Sequence, residues 1–372
     1  MSALFSPFAL RGLTLANRIV VSPMCQYSAE NGSATDWHLM HLGTLSVSGA
    51  GLVIVEMTQV EALGRISLGD LGLYSDANEA ALARVVAACR RYGQAKLGVQ
   101  LGHAGRKAST APPWRGGKFL RPEDGAWTTI APSALPFDDG YPAPKAMSSE
   151  DIERVVEAFA AATKRAQRIG FDAVEVHSAH GYLLHEFLSP IANRRDDEYG
   201  GSLENRMRFP LRVIAAMRAS WPKEKPLGAR LSCTDWLAGG FTLDEAVAYA
   251  RALREQGCDY ICCSGGGIVP KAPVPVGPGY MVEFAARLRR EAGIATRAVG
   301  MIVAPHQAEA VIAEGKADMV ALARAILDNP RWAWHAGEAL GHAAAYPPQY
   351  ERARATIWPG AAILRSGASR LV

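Results

Sequence analysis

The segment Ala173–Pro190, AVEVHSAHGYLLHEFLSP, finishes an apolar run and then presents His177, His180 and Tyr182 around Gly181. Three readings compete for this cluster: a metal site, a proton-handling site, or a loop that is merely polar. A His-x-x-His spacing invites zinc, but a catalytic zinc takes about three protein ligands. His185 and Glu186 follow, yet Leu183-Leu184-His185-Glu186 reads as a helix leading away, and the chain has no H-E-x-x-H. Two imidazole donors aimed at one point would hold a carbonyl oxygen and stabilise the charge it gains when a nucleophile adds to a conjugated system. Tyr182, on the same turn, could supply a proton to the neighbouring carbon.

These side chains need elements that bring them together. Short, nearly all-apolar runs at 19–22, 52–58, 97–101, 173–177, 227–232, 260–264, 297–300 and 319–323 read as buried parallel strands. Helical patterns lie between them at 37–48, 78–92, 149–169, 205–221, 242–256, 280–292 and 305–314. Ser149 and Thr242 read as N-caps followed by carboxylates, and Gly170, Gly257, Gly293 and Gly315 stand where helices should stop. Repeated β-then-α units predict a (β/α)8 TIM barrel. A doubly wound sheet is the alternative, but Ser22-Pro23-Met24-Cys25 after the first strand is no glycine-rich dinucleotide turn. The predicted domain is 1–340, with a Pro-, Gly- and Trp-rich excursion at 106–147 over the barrel mouth. An aromatic tail at 341–372 is expected to dock, at a subunit interface.

In a barrel the C-terminal strand ends converge on one mouth. They carry Cys25 and Tyr27; Met57 and Thr58; Gln100, His103, Arg106 and Lys107; His177, His180 and Tyr182; and Arg230 and Ser232. Ser264-Gly265-Gly266-Gly267, Gly300-Met301 and Ala323-Arg324 complete the rim. Small residues with Arg324 suit a phosphate, because backbone N–H groups can approach the anion. Arg230 and Gln100 should face the middle of the ligand, where an electron-rich ring such as a flavin would compensate a buried charge.

Composition narrows the classes. The 372 residues are 49% hydrophobic and 20% charged with a net charge of +4, too mild and dispersed for nucleic acid as the main partner. No run reaches the roughly 18 apolar residues of a membrane span, and residues 1–18 lack the features of a secretion signal. A cytoplasmic location is expected, with the six cysteines reduced and mostly buried.

The run HSAHGYLLHEFLSPIANRRDDEYGGSLENRMRFPLRVI, with Pro23-Met24-Cys25-Gln26-Tyr27 and VQLGHAGRKAS, resembles the old yellow enzyme family of FMN-dependent ene-reductases. More narrowly it resembles the thermophilic-like or xenobiotic-reductase branch. The resemblance implies FMN, bound non-covalently, with NADPH or NADH as reductant and activated alkenes as substrates. It implies that Ser22, Pro23, Met24, Cys25 and Gln100 contact the ring, with Arg230 at its charged edge. Ser264, Gly265, Gly266, Gly300, Met301, Ala323 and Arg324 would hold the phosphate. His177 and His180 match the carbonyl-gripping pair, Tyr182 the proton donor, Tyr27 its helper, and Cys25 a tuner of flavin potential. Met57 stands where many relatives have a small residue. Arg352 resembles an arginine inserted into a neighbour's site, and Trp358 an aromatic near substrate, so a homodimer or homotetramer is implied. The readings kept open beside this are a metal-dependent barrel hydrolase and a non-catalytic flavin-binding protein. A related dehydrogenase with an iron–sulfur domain would need clustered cysteines that the sequence lacks.

Overall fold

The computed structural model describes residues 2–365. Eight parallel strands close into a barrel: β1 (Ile19–Val21), β2 (Leu52–Gln59), β3 (Lys96–Gly102), β4 (Ala173–Ser178), β5 (Leu227–Ser232), β6 (Tyr260–Ser264), β7 (Ala295–Ala298) and β8 (Met319–Leu322). Each pairs with its sequence neighbour, and β8 returns to β1 through Val320↔Ile19. The (β/α)8 expectation holds, and the open doubly wound sheet is excluded by closure. A hairpin, Phe8–Leu10 with Leu13–Leu15, donates Gly12 N–H to Glu224 O (2.9 Å) and sets Arg11 on Asp259. Those residues precede β5 and β6, so the hairpin closes the end opposite the mouth.

Helices fill the outside: α1 (Asp36–Ser46), α2 (Asp76–Tyr92), α3 (Ser149–Ile169), α4 (Leu203–Ala219), α5 (Leu243–Glu255), α6 (Val282–Ala292), α7 (Pro305–Ala313) and α8 (Trp332–Ala339). Thr242 caps α5 in a capping box with Glu245, as its spacing predicts. In α3 the cap is Ser148, one residue before the predicted Ser149, because Ser148 reciprocates hydrogen bonds with Asp151. Strand β7 starts and stops two residues earlier than expected. Gly300 O instead accepts from Gly279 N–H in the loop before α6, so the chain there has left the ladder.

The 106–147 excursion is irregular but anchored. Short 3-10 turns at Pro113–Arg115 and Pro122–Asp124 and a two-residue strand pair punctuate it, and Trp127 Nε1 donates to Leu63 O (2.9 Å). Thr110, Phe137 and Tyr141 line a pocket with Tyr27 and Tyr182, so the excursion does cover part of the mouth. The tail docks first onto its own chain: Tyr346 stacks on Trp334 of α8 at 4.2 Å. Positions 366–372 of the predicted tail lie outside the described residues.

One polar layer crosses the barrel interior. Arg297 of β7 donates to Glu175 of β4 (2.6 Å), both fully buried, and Gln100 Nε2 donates to the other Glu175 oxygen (2.8 Å). The Arg297 guanidinium also lies 5.3 Å from the Tyr260 ring centroid. That ring fills the space a side chain at Gly228 would need, since a Cβ there would stand 2.1 Å from it. Breaking a buried pair strands a charge in low dielectric, at a cost of about 3–5 kcal/mol. Urea unfolding should therefore show Arg297→Met losing about that much stability, with Arg297→Met/Glu175→Gln recovering part of it. An Arg297→Met protein as stable as wild type would contradict this account.

Candidate active site

The residues leaving β1 form the first wall. Ser22 N–H extends the ladder to Leu322 O (2.9 Å), and the chain then crosses the mouth as Pro23-Met24-Cys25-Gln26-Tyr27. A bulge in β2 between Val55 and Met57 sends the Glu56 carboxylate beneath this loop, where it accepts Gln26 N–H (2.9 Å) and meets His38 Nε2 (3.4 Å). Burial pushes the Cys25 thiol well up, and the Asp70 and Glu56 carboxylates push it further, so Cys25 stays a thiol. Met57, Ile66, Ala104 and Ala108 make a small apolar floor against Cys25, Tyr27 and Tyr182. The predicted Met57 neighbour of the ring thus sits in this floor, 2% exposed.

The second wall is the 177–182 turn after β4. His180 (φ +60°) and Gly181 (φ +72°) turn left-handed, and a Cβ on Gly181 would strike Gly267 O at 2.1 Å. His180 N–H donates to Ser232 Oγ (2.9 Å), and its carbonyl accepts from Lys107 Nζ (2.7 Å). Gly181 N–H donates to His185 Nδ1 (2.9 Å), and His185 Nε2 faces Asp235 Oδ1 at 3.0 Å, both side chains sealed from solvent. His185 and Glu186 therefore do not lead away, as the sequence suggested. Their helix, Leu183–Leu188, is one buried turn and a half folded back under the loop, and Glu186 accepts Arg106 N–H (2.9 Å).

The imidazoles are wired in series. Ala179 N–H donates to His177 Nδ1 (3.2 Å), which leaves the proton on His177 Nε2. That nitrogen meets His180 Nδ1 at 3.2 Å, and His180 Nε2 meets Ser264 Oγ at 2.7 Å. The rings, 5.0 Å apart at 81°, thus donate along a chain. Burial lowers both pKa values well below the usual range, and Arg230 and Lys107 lower them further. The pair is neutral at pH 7. Tyr182 lies edge-on to His177 at 5.0 Å, and burial pushes its phenol well up.

Beside the turn runs a cleft of about 620 Å³ lined by Ser22, His180, Arg230, Ser264, Gly265, Gly300, Met301, Ala323 and Arg324 among others. Its size falls in the usual range for small-molecule sites. Arg230 Nε is buried without a hydrogen-bond partner, so the cleft offers a cation awaiting an electron-rich acceptor. Arg324, which also lines the cleft, opens the short helix Arg324–Asp328. FMN, with a phosphate at one end and a reducible ring at the other, fits this donor set. Gln100, 1% exposed, has one amide N–H committed to Glu175, which leaves its second N–H and its carbonyl oxygen to offer a ligand.

Some predicted residues fall elsewhere. His103 is buried against Glu61 (2.9 Å), and Thr58 Oγ1 donates to Glu56 O (2.9 Å); neither lines the cleft. Arg352 and Trp358 are exposed on the outer surface and line none of the mouth pockets, so a role at this chain's own site is not supported. Sequence reasoning missed Glu56, His38, Glu175 and Asp235 as supports. The signal was a carboxylate inside each apolar run, Val55-Glu56-Met57 and Val174-Glu175-Val176. Among the described residues no group of three or more His, Cys, Asp or Glu is gathered as a metal ion would require. No helix of the described residues is long and apolar enough to cross a membrane.

The model of the NADH:flavin oxidoreductase / NADH oxidase family matches residues 3–342. An NADPH dehydrogenase of Geobacillus sp. (strain WCH70) is 47% identical over 351 residues, covering 94% of this chain and 98% of that protein. One from Listeria monocytogenes serotype 4a (strain HCC23) is 44% identical over 355 residues, covering 95% and 99%. Among solved structures, morphinone reductase matches with a TM-score of 0.74 at 29% identity, covering 94% of this chain and 92% of that one. A 2-naphthoyl-CoA reductase matches with a TM-score of 0.81 at 25% identity, over 91% of this chain and 52% of that one. These matches displace the hydrolase and flavin-storage readings. With a closed barrel, a cation-lined cleft and this family around it, the chain belongs to the NADH:flavin oxidoreductase / NADH oxidase family, the old yellow enzymes, and is an NAD(P)H:FMN-dependent oxidoreductase.

Proposed function

We propose that this oxidoreductase reduces α,β-unsaturated carbonyl compounds, namely enones, enals and maleimides, and also nitro compounds, at the expense of NADPH or NADH. The observation that carries the reading is the pairing of two neutral imidazoles, His177 buried and His180 part-buried, with a protonated phenol on one turn beside the cleft. FMN supplies, when bound, hydride acceptance from the nicotinamide and hydride delivery to the β-carbon in a ping-pong cycle. The protein's own task is then charge and proton management. His177 and His180 redirect their N–H groups from each other and from Ser264 to the substrate carbonyl, with Tyr27 assisting, and stabilise the enolate charge on oxygen. Tyr182 gives its proton to the α-carbon, so the substrate gains one hydride and one proton overall. Because the imidazoles stay neutral well below pH 7, the clamp works by hydrogen bonding and keeps doing so in mild acid.

Ser22–Cys25, Met57, Gln100 and Arg230 would contact the ring, and Ser264–Gly266, Gly300-Met301 and Ala323-Arg324 the phosphate. Cys25 tunes the potential as a thiol. We further propose a cytoplasmic homodimer or homotetramer built from 1–340 barrels, in which exposed Arg352 and Trp358 of the 341–372 tail serve a neighbouring subunit's substrate.

His177→Ala/His180→Ala should weaken 2-cyclohexenone binding and slow enone-driven flavin reoxidation by about 100-fold or more, with NADPH-driven reduction changed far less. Normal enone affinity and rate in that variant would remove the carbonyl clamp. Arg324→Ala should weaken FMN binding at least about tenfold by losing a charge-assisted bond, read by flavin fluorescence on dilution. A colourless chain that cannot be reconstituted with FMN would overturn the cofactor placement.

A further inference from the structure

Lys107 is a charge with no evident counter-charge. Its Nζ donates to two backbone carbonyls, His180 O (2.7 Å) and Gly267 O (3.1 Å), and lies 5.0 Å from the Tyr182 ring centroid and 4.7 Å from that of Phe137. It lines the same pocket as Tyr27 and Tyr182. The one carboxyl close to it, Glu186, is turned to Arg106 N–H, and burial pushes it up to about 8, so it is largely uncharged at pH 7. A half-buried ammonium held among carbonyls and rings, with no charged carboxylate beside it, is placed to meet an anion that arises in the pocket during function. The neighbouring group that becomes anionic on the reading above is Tyr182, after it hands its proton to the substrate.

We propose that Lys107 is a positioning residue for proton delivery: it fixes His180 through its carbonyl and offsets the negative charge on Tyr182 once the phenol has given up its proton. The phenol O–H breaks as the new C–H forms at the α-carbon, and solvent later returns a proton to the phenolate. Lys107 keeps its own three protons throughout. The inference rests on Tyr182 being the proton donor.

The charged and titratable groups around Lys107 are Arg106 from its own turn, His177, His180 and Tyr182 from the β4 turn, and Glu186 from the helix that follows it. Burial lowers its pKa to about 8, so the ammonium is present below that pH and lost above it. The test is stopped-flow reoxidation of NADPH-reduced holoenzyme by 2-cyclohexenone from pH 6 to 10. Wild type should slow as pH rises through about 8, and Glu186→Gln should keep that fall. Lys107→Arg should hold its rate within about threefold and lose the fall, because a guanidinium stays charged. Lys107→Met should be at least about tenfold slower at pH 7 and flat with pH. In a Tyr182→Phe background, Lys107→Met should cost less than about twofold. An equal loss in both backgrounds, or an alkaline fall that persists in Lys107→Arg, would overturn the proposal. If Tyr182→Phe alone leaves reoxidation unchanged, the proton-donor reading itself fails, which is a different result.

Discussion

The left-handed backbone at His180 is the constraint on which the mouth is built. For a residue with a Cβ that conformation costs about 1–2 kcal/mol, so it persists only where neighbours hold it. Here three strands contribute a hold each: Ser232 of β5 on the N–H, Lys107 after β3 on the carbonyl, and the His185–Asp235 pair on the next N–H. The result is a turn that carries His180 and Tyr182 with little freedom, which is what a site for ordered proton and hydride addition needs.

Charge is distributed in layers beneath that turn. Deep in the barrel, Arg297 and Glu175 neutralise each other and fix the Gln100 amide. One layer up, Arg230 Nε has no hydrogen-bond partner and Lys107 donates to backbone carbonyls; burial, reinforced by these two cations, holds the imidazole pair neutral. On the opposite side burial, reinforced by Asp70 and Glu56, keeps Cys25 protonated. The site thus has a cationic side, where anionic groups of a cofactor and of the reaction develop, and a carboxyl-lined side beside the protonated thiol. This asymmetry is the electrostatic preorganisation expected where negative charge builds up in the transition state.

The loop supports show how far a barrel departs from a simple inside–outside pattern. Glu56 occupies an extra position created by the β2 bulge, which lets a carboxylate turn under the Cys25 loop while Met57 faces the floor. Without the bulge the strand's alternation would exchange those roles. The 106–147 excursion, for its part, contributes Phe137 and Tyr141 to the same pocket although it belongs to no strand or long helix.

The sequence by itself determined the periodic elements and most of the chemistry at the rim. Apolar runs of strand length, caps such as Thr242 and stops such as Gly170 are local properties, and convergence of the strand ends follows once eight of them close. His177, His180, Tyr182, Arg230 and Arg324 were legible because polar side chains interrupt apolar runs at the same end of each repeat. What only the tertiary structure decided is which groups face one another. The burial of Glu186 against Arg106, the seat of His180 on Ser264 and the Arg297–Glu175–Gln100 layer depend on pairings across 75 to more than 120 residues. Hydrogen-bond partners at that separation leave no period in the chain, and burial alone turns an ordinary carboxylate, phenol or ammonium into one with a shifted charge.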